Sequence, residues 1–425
     1  MQHPINFVKT IFTLTLFLFL TSTSIAQDTT YARSLMMQLG SPEFAGRAYV
    51  DDGNAIAAAF IAQEFETDSL AFFGKDYFQD FKIKINTIQD IDYLVIDGDT
   101  LIAGEDYYIS NASKSLKGNY DLIHIDDSLF IHNKDYLEAL LVHSDLSKSI
   151  LVFHKPNNDA RFQFKTKVAG VMFVSDNKLP PWSFSHAQTP VDYAIIDVLA
   201  NKIKDNSKGI SLRFKTKFYS SYPTQNVIAY VEGKLQPDSF IVLGAHYDHM
   251  GKMGEDVYFP GGNDNASGTA MLLNFARYFS DTANQPDYSI VFIAFTGEEV
   301  GLLGSLYFVQ NPLFNLKKIK IMINLDMVGT GSKGIVVVNG SKFEKQFNKM
   351  QTINKKHNYL PRVKKRGEAC NSDHCPFYMR GVPAFFIYTA GDEYSEYHSP
   401  ADRPQDVPLT NYNGLFKLIR DFIED

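Results

Sequence analysis

The spacing of apolar residues gives the second half of the chain an alternating pattern of strands and helices. Strand-like apolar runs fall at residues 225–231, 240–245, 289–295, 318–325, 334–338 and 383–387, and helical periodicity falls at residues 267–279, 301–309, 343–356 and 413–423. Such alternation is typical of an α/β domain with a largely parallel sheet. We therefore predict a mostly parallel mixed sheet flanked by helices.

The part of the chain before this domain, at about residues 90–215, has a different pattern of apolar and polar residues. Short apolar runs such as YLVI, SILVFH and AGVMFV are separated by polar turns, which indicates a smaller β-rich inserted domain with a helix or two. Helical patterns at residues 31–39 and 54–65 and a strand-like alternation at residues 76–88 come before it. The predicted division is residues 27–89 for the first part of the α/β domain, 90–215 for the insert and 216–425 for the main part.

The first 26 residues have the layout of a cleavable secretory signal peptide. Lys9 precedes an apolar stretch at residues 11–20, and Ser24, Ile25 and Ala26 place small residues before a cut after Ala26. The apolar stretch is too short to cross a bilayer as a helix. We expect a periplasmic or secreted protein without membrane contact after cleavage; the alternative is an N-terminal anchor that is never removed.

Composition narrows the classes of function. The chain has 425 residues, of which 45% are hydrophobic and 21% charged, which is enough apolar material for a packed core. Its net charge of -7 argues against a nucleic-acid surface. Two cysteines, Cys370 and Cys375, could close a local disulfide in an oxidising compartment, or they could be two free thiols.

Ionisable residues follow the predicted strands at the points where the strands end. In open α/β sheets, functional residues gather in the loops beyond the carboxyl ends of the strands. Four separate segments contribute a histidine or a carboxylate at such a place: His246, Glu298 with Glu299, Asp326 and His398. A fifth segment, the loop GGNDNASG, offers Asp264 just before a helix. We expect these side chains to converge at one edge of the sheet.

Two imidazoles and several carboxylates suit zinc or a similar divalent ion, and they exceed the three protein ligands of a single catalytic zinc. Two metal ions that share one bridging carboxylate would use all of these imidazole and carboxylate ligands. Since neighbouring side chains in a turn point in different directions, we assign Glu299 to the metal and Glu298 to the general base. Asp248 is placed to orient the ring of His246, and Tyr397 could donate to an oxyanion.

The same residues could instead have purely structural roles. Thr296 and Glu299 fit a helix capping box, Asp264 could be a turn or cap residue, and Asp326 could belong to a buried ion pair. We read Asp402 as a turn residue or a partner of Arg403. His249 and His374 lie near the motifs but receive no role.

The motifs GAHYDHMG, GGNDNASGTA, FTGEEVGLLGS, NLDMVG, SDHCPF and YHSPADRP resemble the zinc exopeptidase family of bacterial leucyl aminopeptidases and glutamate carboxypeptidase II, metallopeptidase family twenty-eight. The resemblance covers about residues 224–400, and SPEFAGR resembles the helical start of the same domain. AGVMFVSDN and VDYAIIDVLANKI more weakly resemble the protease-associated domain that is inserted in this family.

The resemblance implies two Zn²⁺ ions and a role for each site residue. His246 and Asp326 would bind one ion, Glu299 and His398 the other, and Asp264 would bridge the two. Glu298 would be the base, Asp248 the residue that orients His246, and Tyr397 the oxyanion donor. The peptide bond between Asp264 and Asn265 would be cis.

The predicted function is that of an exopeptidase acting on peptides, foremost an aminopeptidase. A carboxypeptidase or a glutaminyl cyclase on a related fold is the alternative, and a catalytically inactive binding protein is a third. Retention of all five ligands and of the base argues against a glutaminyl cyclase and against an inactive binding protein. Nothing in the sequence predicts the oligomeric state or the side-chain preference.

Overall fold

The computed structural model describes residues 29–125, 145–154, 167–184 and 186–425. Its helices are α1 Thr29–Leu39, α2 Gly53–Thr67, α3 Ser267–Ser280, α4 Leu303–Gln310, α5 Glu344–His357, α6 His374–Met379 and α7 Tyr412–Glu424. In this part of the chain, no helix is both long enough and apolar enough to cross a membrane. The predicted signal peptide lies outside the described residues.

The strands form one continuous mixed sheet. They are β1 Phe78–Ile96, β2 Asp99–Thr100, β3 Tyr107–Ile109, β4 Leu116–His124, β5 Leu146–Phe153, β6 Val168–Ser175, β7 Ala194–Leu199, β8 Gly209–Val231, β9 Gln236–His246, β10 Tyr288–Phe295, β11 Ile319–Leu325, β12 Ile335–Val338, β13 Val363–Lys365 and β14 Ala384–Thr389. Each strand and helix predicted after residue 224 is present with its ends moved by a few residues, except that the predicted strand 225–231 is the last part of the much longer β8.

The centre of the main part is a parallel sheet. Strands β14, β11, β9 and β10 lie side by side in that order and run parallel, while β12 and β8 flank them antiparallel. One face of this sheet packs against α1, α2, α3, α5 and α7, and the other packs against α4 and α6. The predicted fold class, a mostly parallel mixed sheet flanked by helices, is confirmed.

Two long strands join the main part to the inserted region. Strands β1 and β8 pair antiparallel along most of their lengths, from Phe78 with Val227 to Ile96 with Ile210. The predicted domain limits at residues 90 and 215 therefore fall inside continuous strands. The sheet continues from β8 through β4, β5, β6 and β7 to β3.

One apolar cluster contains residues from both regions. Tyr108, Trp182 and Phe184 of the inserted region lie in the same buried cluster as Met253 and Phe259 of the main part. The ring of Trp182 stacks on that of Phe259, with 4.5 Å between centroids and 19° between planes. Because this cluster crosses the border, the two regions share part of one core.

Candidate metal centre

The parallel strands deliver the predicted residues to one edge of the sheet. His246 is the last residue of β9, Asp326 directly follows β11, and Glu298 and Glu299 follow β10 after a two-residue turn. His398 lies in the loop after β14. Since neighbouring parallel strands end at the same edge, the four segments meet there.

His246 lies between two carboxylates. Its Nε2 atom is 3.3 Å from Oδ1 of Asp264 and 3.3 Å from Oδ1 of Asp326. The three residues are buried, and their potential ligand atoms all lie within 4.8 Å of one another. They form one half of the candidate centre, which we call the His246 half.

His398 forms the corresponding second half. Its Nε2 atom is 3.0 Å from Oδ2 of Asp264 and 3.2 Å from Oε2 of Glu299. Asp264 thus turns one carboxylate oxygen to each histidine, and it is the residue common to the His246 half and the His398 half. The peptide bond between Asp264 and Asn265 is cis, as the family resemblance implies.

The hydrogen-bond partners of the two histidines indicate that a cation fits this arrangement. Nδ1 of His246 lies 3.1 Å from the main-chain oxygen of Asp248, and Nδ1 of His398 lies 2.7 Å from that of Trp182. A carbonyl only accepts, so each Nδ1 donates a proton and each neutral ring turns a lone pair on Nε2 toward carboxylates. Such contacts are repulsive unless Nε2 gains a proton or a metal ion.

The pKa shifts of His398 and Glu299 also indicate that these groups are stabilised by positive charge between them. Burial alone would lower the pKa of His398, but the Glu299 and Asp264 carboxylates raise it to about 11. Burial would likewise raise the pKa of Glu299, but His398 and His249 bring it down to about 2. A divalent cation bound by these oxygen and imidazole ligands would supply the charge in place of protons.

Glu298 differs from Glu299 in its surroundings. Its side chain is half-buried, and removal from water together with the Glu299 and Asp326 carboxylates raises its pKa well above the ordinary value. No imidazole lies at ion-pair distance from it within the described residues, in contrast to Glu299. A carboxylate with a raised pKa at the edge of the cluster is suited to accept a proton.

Asp248 supports the site in a different way from the one predicted. Its carboxylate is 3.8 Å from Nδ1 of His246, beyond hydrogen-bond distance, and its main-chain oxygen accepts that bond instead. The carboxylate accepts from the main-chain N–H of Glu298 at 3.2 Å and from the hydroxyl of Tyr49 at 3.2 Å. Asp248 therefore links the His246 loop to the Glu298 turn, and its main-chain oxygen contacts the His246 ring directly while its carboxylate lies at ion-pair distance.

Tyr397 lies beside the centre. Its ring stacks on that of His398 with 3.8 Å between centroids, and the residue is 43% exposed. Removal from water and the carboxylates of the site raise its pKa above the ordinary value, so the phenol keeps its proton at neutral pH. A protonated phenol can donate a hydrogen bond, as the predicted role of Tyr397 requires.

Sequence reasoning missed two buried residues that hold the Asp264 loop. Asp402 does lie in a turn, because its main-chain N–H donates to the oxygen of Ser399 at 3.1 Å, but the sequence did not predict that its carboxylate accepts from the main-chain N–H groups of Asn263 at 2.8 Å and Asp264 at 3.1 Å. The second residue is Arg47, which is fully buried. Its guanidinium donates to the main-chain oxygens of Leu39, Tyr247, Pro260, Gly261 and Asp264.

Arg47 also brings a permanent positive charge beneath the carboxylates. Burial lowers its pKa to about 10, opposed by Asp402 and Asp264, so the guanidinium remains charged at neutral pH. In the sequence, Arg47 stands out only as part of the SPEFAGR motif. Its guanidinium binds main-chain oxygens, so the sequence contains no partner side chains that would predict its role.

The two remaining histidines have different positions. Nδ1 of His249 is 3.0 Å from Oε1 of Glu299, and its buried Nε2 has no hydrogen-bond partner among the described residues. His249 therefore belongs to the edge of the His398 half. His374 instead bonds through Nε2 to the main-chain oxygen of Ala369, and burial lowers its pKa to about 4. Near it, Cys370 and Cys375 form a disulfide, one of the two outcomes that the sequence allowed.

A cavity of about 570 Å³ adjoins Tyr397 and His398. Its walls come from the loop after β14 and from the inserted region. Charged residues of both signs line it: Glu105, Lys178, Glu396 and Arg403. A substrate reaching the candidate centre through this cavity would contact both regions.

Comparison with known proteins agrees with the geometry. Residues 226–423 match Peptidase family M28. The chain is 32% identical to aminopeptidase YwaD of Bacillus subtilis over 200 residues, which are 44% of this chain and 41% of that protein. It is 33% identical to a glutamate carboxypeptidase 2 homologue of Caenorhabditis elegans over 213 residues, 42% of this chain and 26% of that protein. The match thus spans less than half the length of either relative.

The fold resemblance is more extensive than the sequence match. The crystal structure of BSAP, a zinc aminopeptidase from Bacillus subtilis, superposes over 93% of this chain and 95% of that one, with a TM-score of 0.71 and 20% identity. That likeness includes the inserted region, which the family match does not reach. Residues 226–423, which contain all the predicted ligands, are thus similar to peptidase family M28.

Proposed function

We propose that this protein is a dinuclear zinc exopeptidase that removes N-terminal residues from peptides. The observation that carries the proposal is the placement of Asp264, whose two carboxylate oxygens face His246 and His398 separately at 3.3 and 3.0 Å. A carboxylate shared between two histidine–carboxylate halves is what a pair of bridged ions requires.

Each half would hold one zinc ion. His246 and Asp326 would hold the first, Glu299 and His398 the second, and Asp264 both. Bound zinc supplies a Lewis acid that lowers the pKa of water and polarises a carbonyl oxygen. The donor set of imidazole and carboxylate, without thiolate, would also accept cobalt or manganese.

The protein's own groups move the protons. Glu298 takes one proton from the attacking water, whose oxygen forms the new bond to the scissile carbonyl carbon. Glu298 then gives this proton to the leaving nitrogen as the carbon–nitrogen bond breaks, so the products are an amine and a carboxylic acid, which releases its remaining proton to solvent and leaves as the carboxylate. Tyr397 donates a hydrogen bond to the carbonyl oxygen while it carries negative charge.

The charged residues of the adjoining cavity bear on which terminus is recognised. Glu105 and Glu396 could bind a free amine, whereas Lys178 and Arg403 could bind a carboxylate. Arg47 is sealed beneath the centre by its five main-chain bonds, so it is not available to a substrate. Recognition of the amine is the proposal, and the alternative is carboxylate recognition by Arg403.

The deciding experiment compares one short peptide in three forms: free, N-acetylated and C-amidated. Metal content is measured on the same sample. We expect about two zinc ions per chain, cleavage of the free and amidated peptides, and loss of cleavage on acetylation. Loss of cleavage on amidation instead would establish a carboxypeptidase.

A different outcome would reopen the other candidates. Bound zinc with no cleavage of any form would contradict the exopeptidase proposal. Release of ammonia from a peptide with N-terminal glutamine would then identify a glutaminyl cyclase, and absence of both reactions would leave a binding protein.

We also propose that the protein acts outside the cytoplasm, after a cut following Ala26. The support is the pattern at residues 1–26, namely a lysine, an apolar stretch and small residues. The N-terminal sequence of the chain recovered from periplasm or medium should begin at Gln27. A chain that keeps Met1 and stays with the membrane fraction would contradict this.

A further inference from the structure

The two histidines of the candidate centre are held by very different parts of the chain. Nδ1 of His246 bonds to the main chain of Asp248, two residues along the same loop. Nδ1 of His398 bonds to the main-chain oxygen of Trp182, which is 216 residues away in the inserted region. Residues 226–423, the extent of the family match, therefore include the support of one histidine and exclude that of the other.

Trp182 and His398 are joined by two main-chain interactions. The N–H of Trp182 donates to the main-chain oxygen of His398 at 3.2 Å, in addition to the bond that Trp182 accepts from Nδ1 at 2.7 Å. His398 has a φ angle of 48°, in the left-handed region that residues other than glycine rarely adopt. A conformation of this kind persists only when neighbouring structure holds it, and this pair of bonds does so.

The side chain of Trp182 fixes the position of these main-chain atoms. The residue is 3% exposed, and its indole N–H donates to the main-chain oxygen of Ile109 at 2.8 Å. Its ring stacks on Phe259, just before the segment that leads to Asp264. The side chain therefore ties strand β3 of the inserted region to the approach to the shared carboxylate.

We propose that the inserted region is a structural part of the metal centre, in which Trp182 positions His398 and keeps the proton on Nδ1, so that metal binding in the His398 half depends on this residue. Trp182 is a positioning residue and takes no part in the reaction. This inference rests on the proposed function in one respect, because it requires that His398 binds zinc. It goes beyond that proposal by making one half of the centre dependent on a segment outside the family match.

The chain offers its own probe, since Trp182 is the single tryptophan. The metal-free full chain is titrated with zinc while tryptophan emission and bound zinc are both recorded. We expect the emission to change with the zinc equivalent that fills the His398 half, and the His398→Ala variant to lose both that equivalent and the emission change. Emission that stays constant while two equivalents bind would overturn the inference.

The second arm measures zinc affinity by competition with a chelator. Trp182→Leu removes the stacking and the indole bond, so we expect the affinity of one zinc equivalent to fall by about 10–100-fold and the other to stay unchanged, as for loss of groups that orient a ligand. The matched control is Phe153→Leu, which alters a fully buried aromatic residue that stacks on Phe173 elsewhere in the inserted region.

The outcomes of this arm separate the inference from the proposed function. If Trp182→Leu binds both equivalents as tightly as the wild type, or if Phe153→Leu weakens zinc equally, the inference is wrong and the dinuclear centre stands. If the wild-type chain binds no zinc, the proposed function fails and the inference fails with it.

Discussion

The His246 half and the His398 half have similar ligands but different supports. His246 ends a central strand of a parallel sheet, and its ring is oriented by its own loop. His398 lies in a loop, adopts a left-handed backbone conformation and is bonded to the inserted region. The first half is built by local chain geometry, whereas the second is built by contacts between distant segments.

This difference shows how an inserted region can be necessary to a metal centre although it contributes no metal ligand. The inserted region places a main-chain oxygen of Trp182 on the ring of His398 and shares a buried cluster with the main part. Removal of such a region would leave every predicted ligand in the sequence and yet disturb one half of the centre. Ligand motifs alone therefore do not define the functional unit.

The largest expected effect comes from the residue that both halves share. Asp264→Ala removes the carboxylate between His246 and His398, so we expect loss of both zinc equivalents from the purified chain. Peptidase activity should fall by more than the about 10²–10⁴-fold that a general base contributes. Metal analysis and peptide hydrolysis measure these effects, and retention of one tightly bound equivalent would show that the halves are independent.

Glu298→Gln should affect turnover while sparing both halves. The amide cannot accept the proton of the attacking water, so kcat should fall by about 10²–10⁴-fold. Zinc content should remain at the wild-type value, because Glu298 is not assigned to either ion. Turnover close to that of the wild type, measured on the same peptide, would contradict its role as the base.

The sequence predicts the parts of the site that repeat a local pattern. His246, Glu299 and Asp326 follow apolar runs of strand character, and the edge at which parallel strands end brings them together. The roles of Arg47, Asp402 and Trp182 were not predicted, because these residues hold the site through main-chain atoms of distant segments. A main-chain oxygen is the same at every residue, so no pairing of side-chain types reveals such contacts.

Arg47 gives a prediction that concerns stability and affects both halves through the Asp264 loop. Arg47→Met removes a buried charge and leaves five main-chain oxygens without their donor, so we expect the free energy of unfolding to fall by about 3–5 kcal/mol. Denaturant unfolding measures this loss. The control is Arg33→Met, since half-buried Arg33 donates to two main-chain oxygens among the described residues, those of Pro404 and Val407. An equal loss in the two variants would show that the position of Arg47 beneath the carboxylates has no special importance.

The smallest expected effect tests whether the His246 half depends on its own local supports. Ser372 donates from Oγ to Oδ2 of Asp326 at 2.7 Å, and Asn324 donates to Ser372 in turn at 2.7 Å. Because Ser372→Ala removes the bond that orients the ligand carboxylate of Asp326, we expect one zinc equivalent to bind about tenfold more weakly. The equivalent that depends on Trp182 should be unaffected.

Ser305→Ala is the matched control for this variant. Ser305 is equally buried and donates to a buried carboxylate, that of Asp373, at 2.5 Å, but Asp373 is not an assigned ligand. Ser305→Ala should therefore leave both zinc affinities unchanged.

Combining Ser372→Ala with Trp182→Leu tests directly whether the two halves have separate supports. If they do, each substitution weakens its own zinc equivalent, and the effects on the free energy of zinc binding add. A double variant that loses much more than the sum would show that the supports act on one coupled centre.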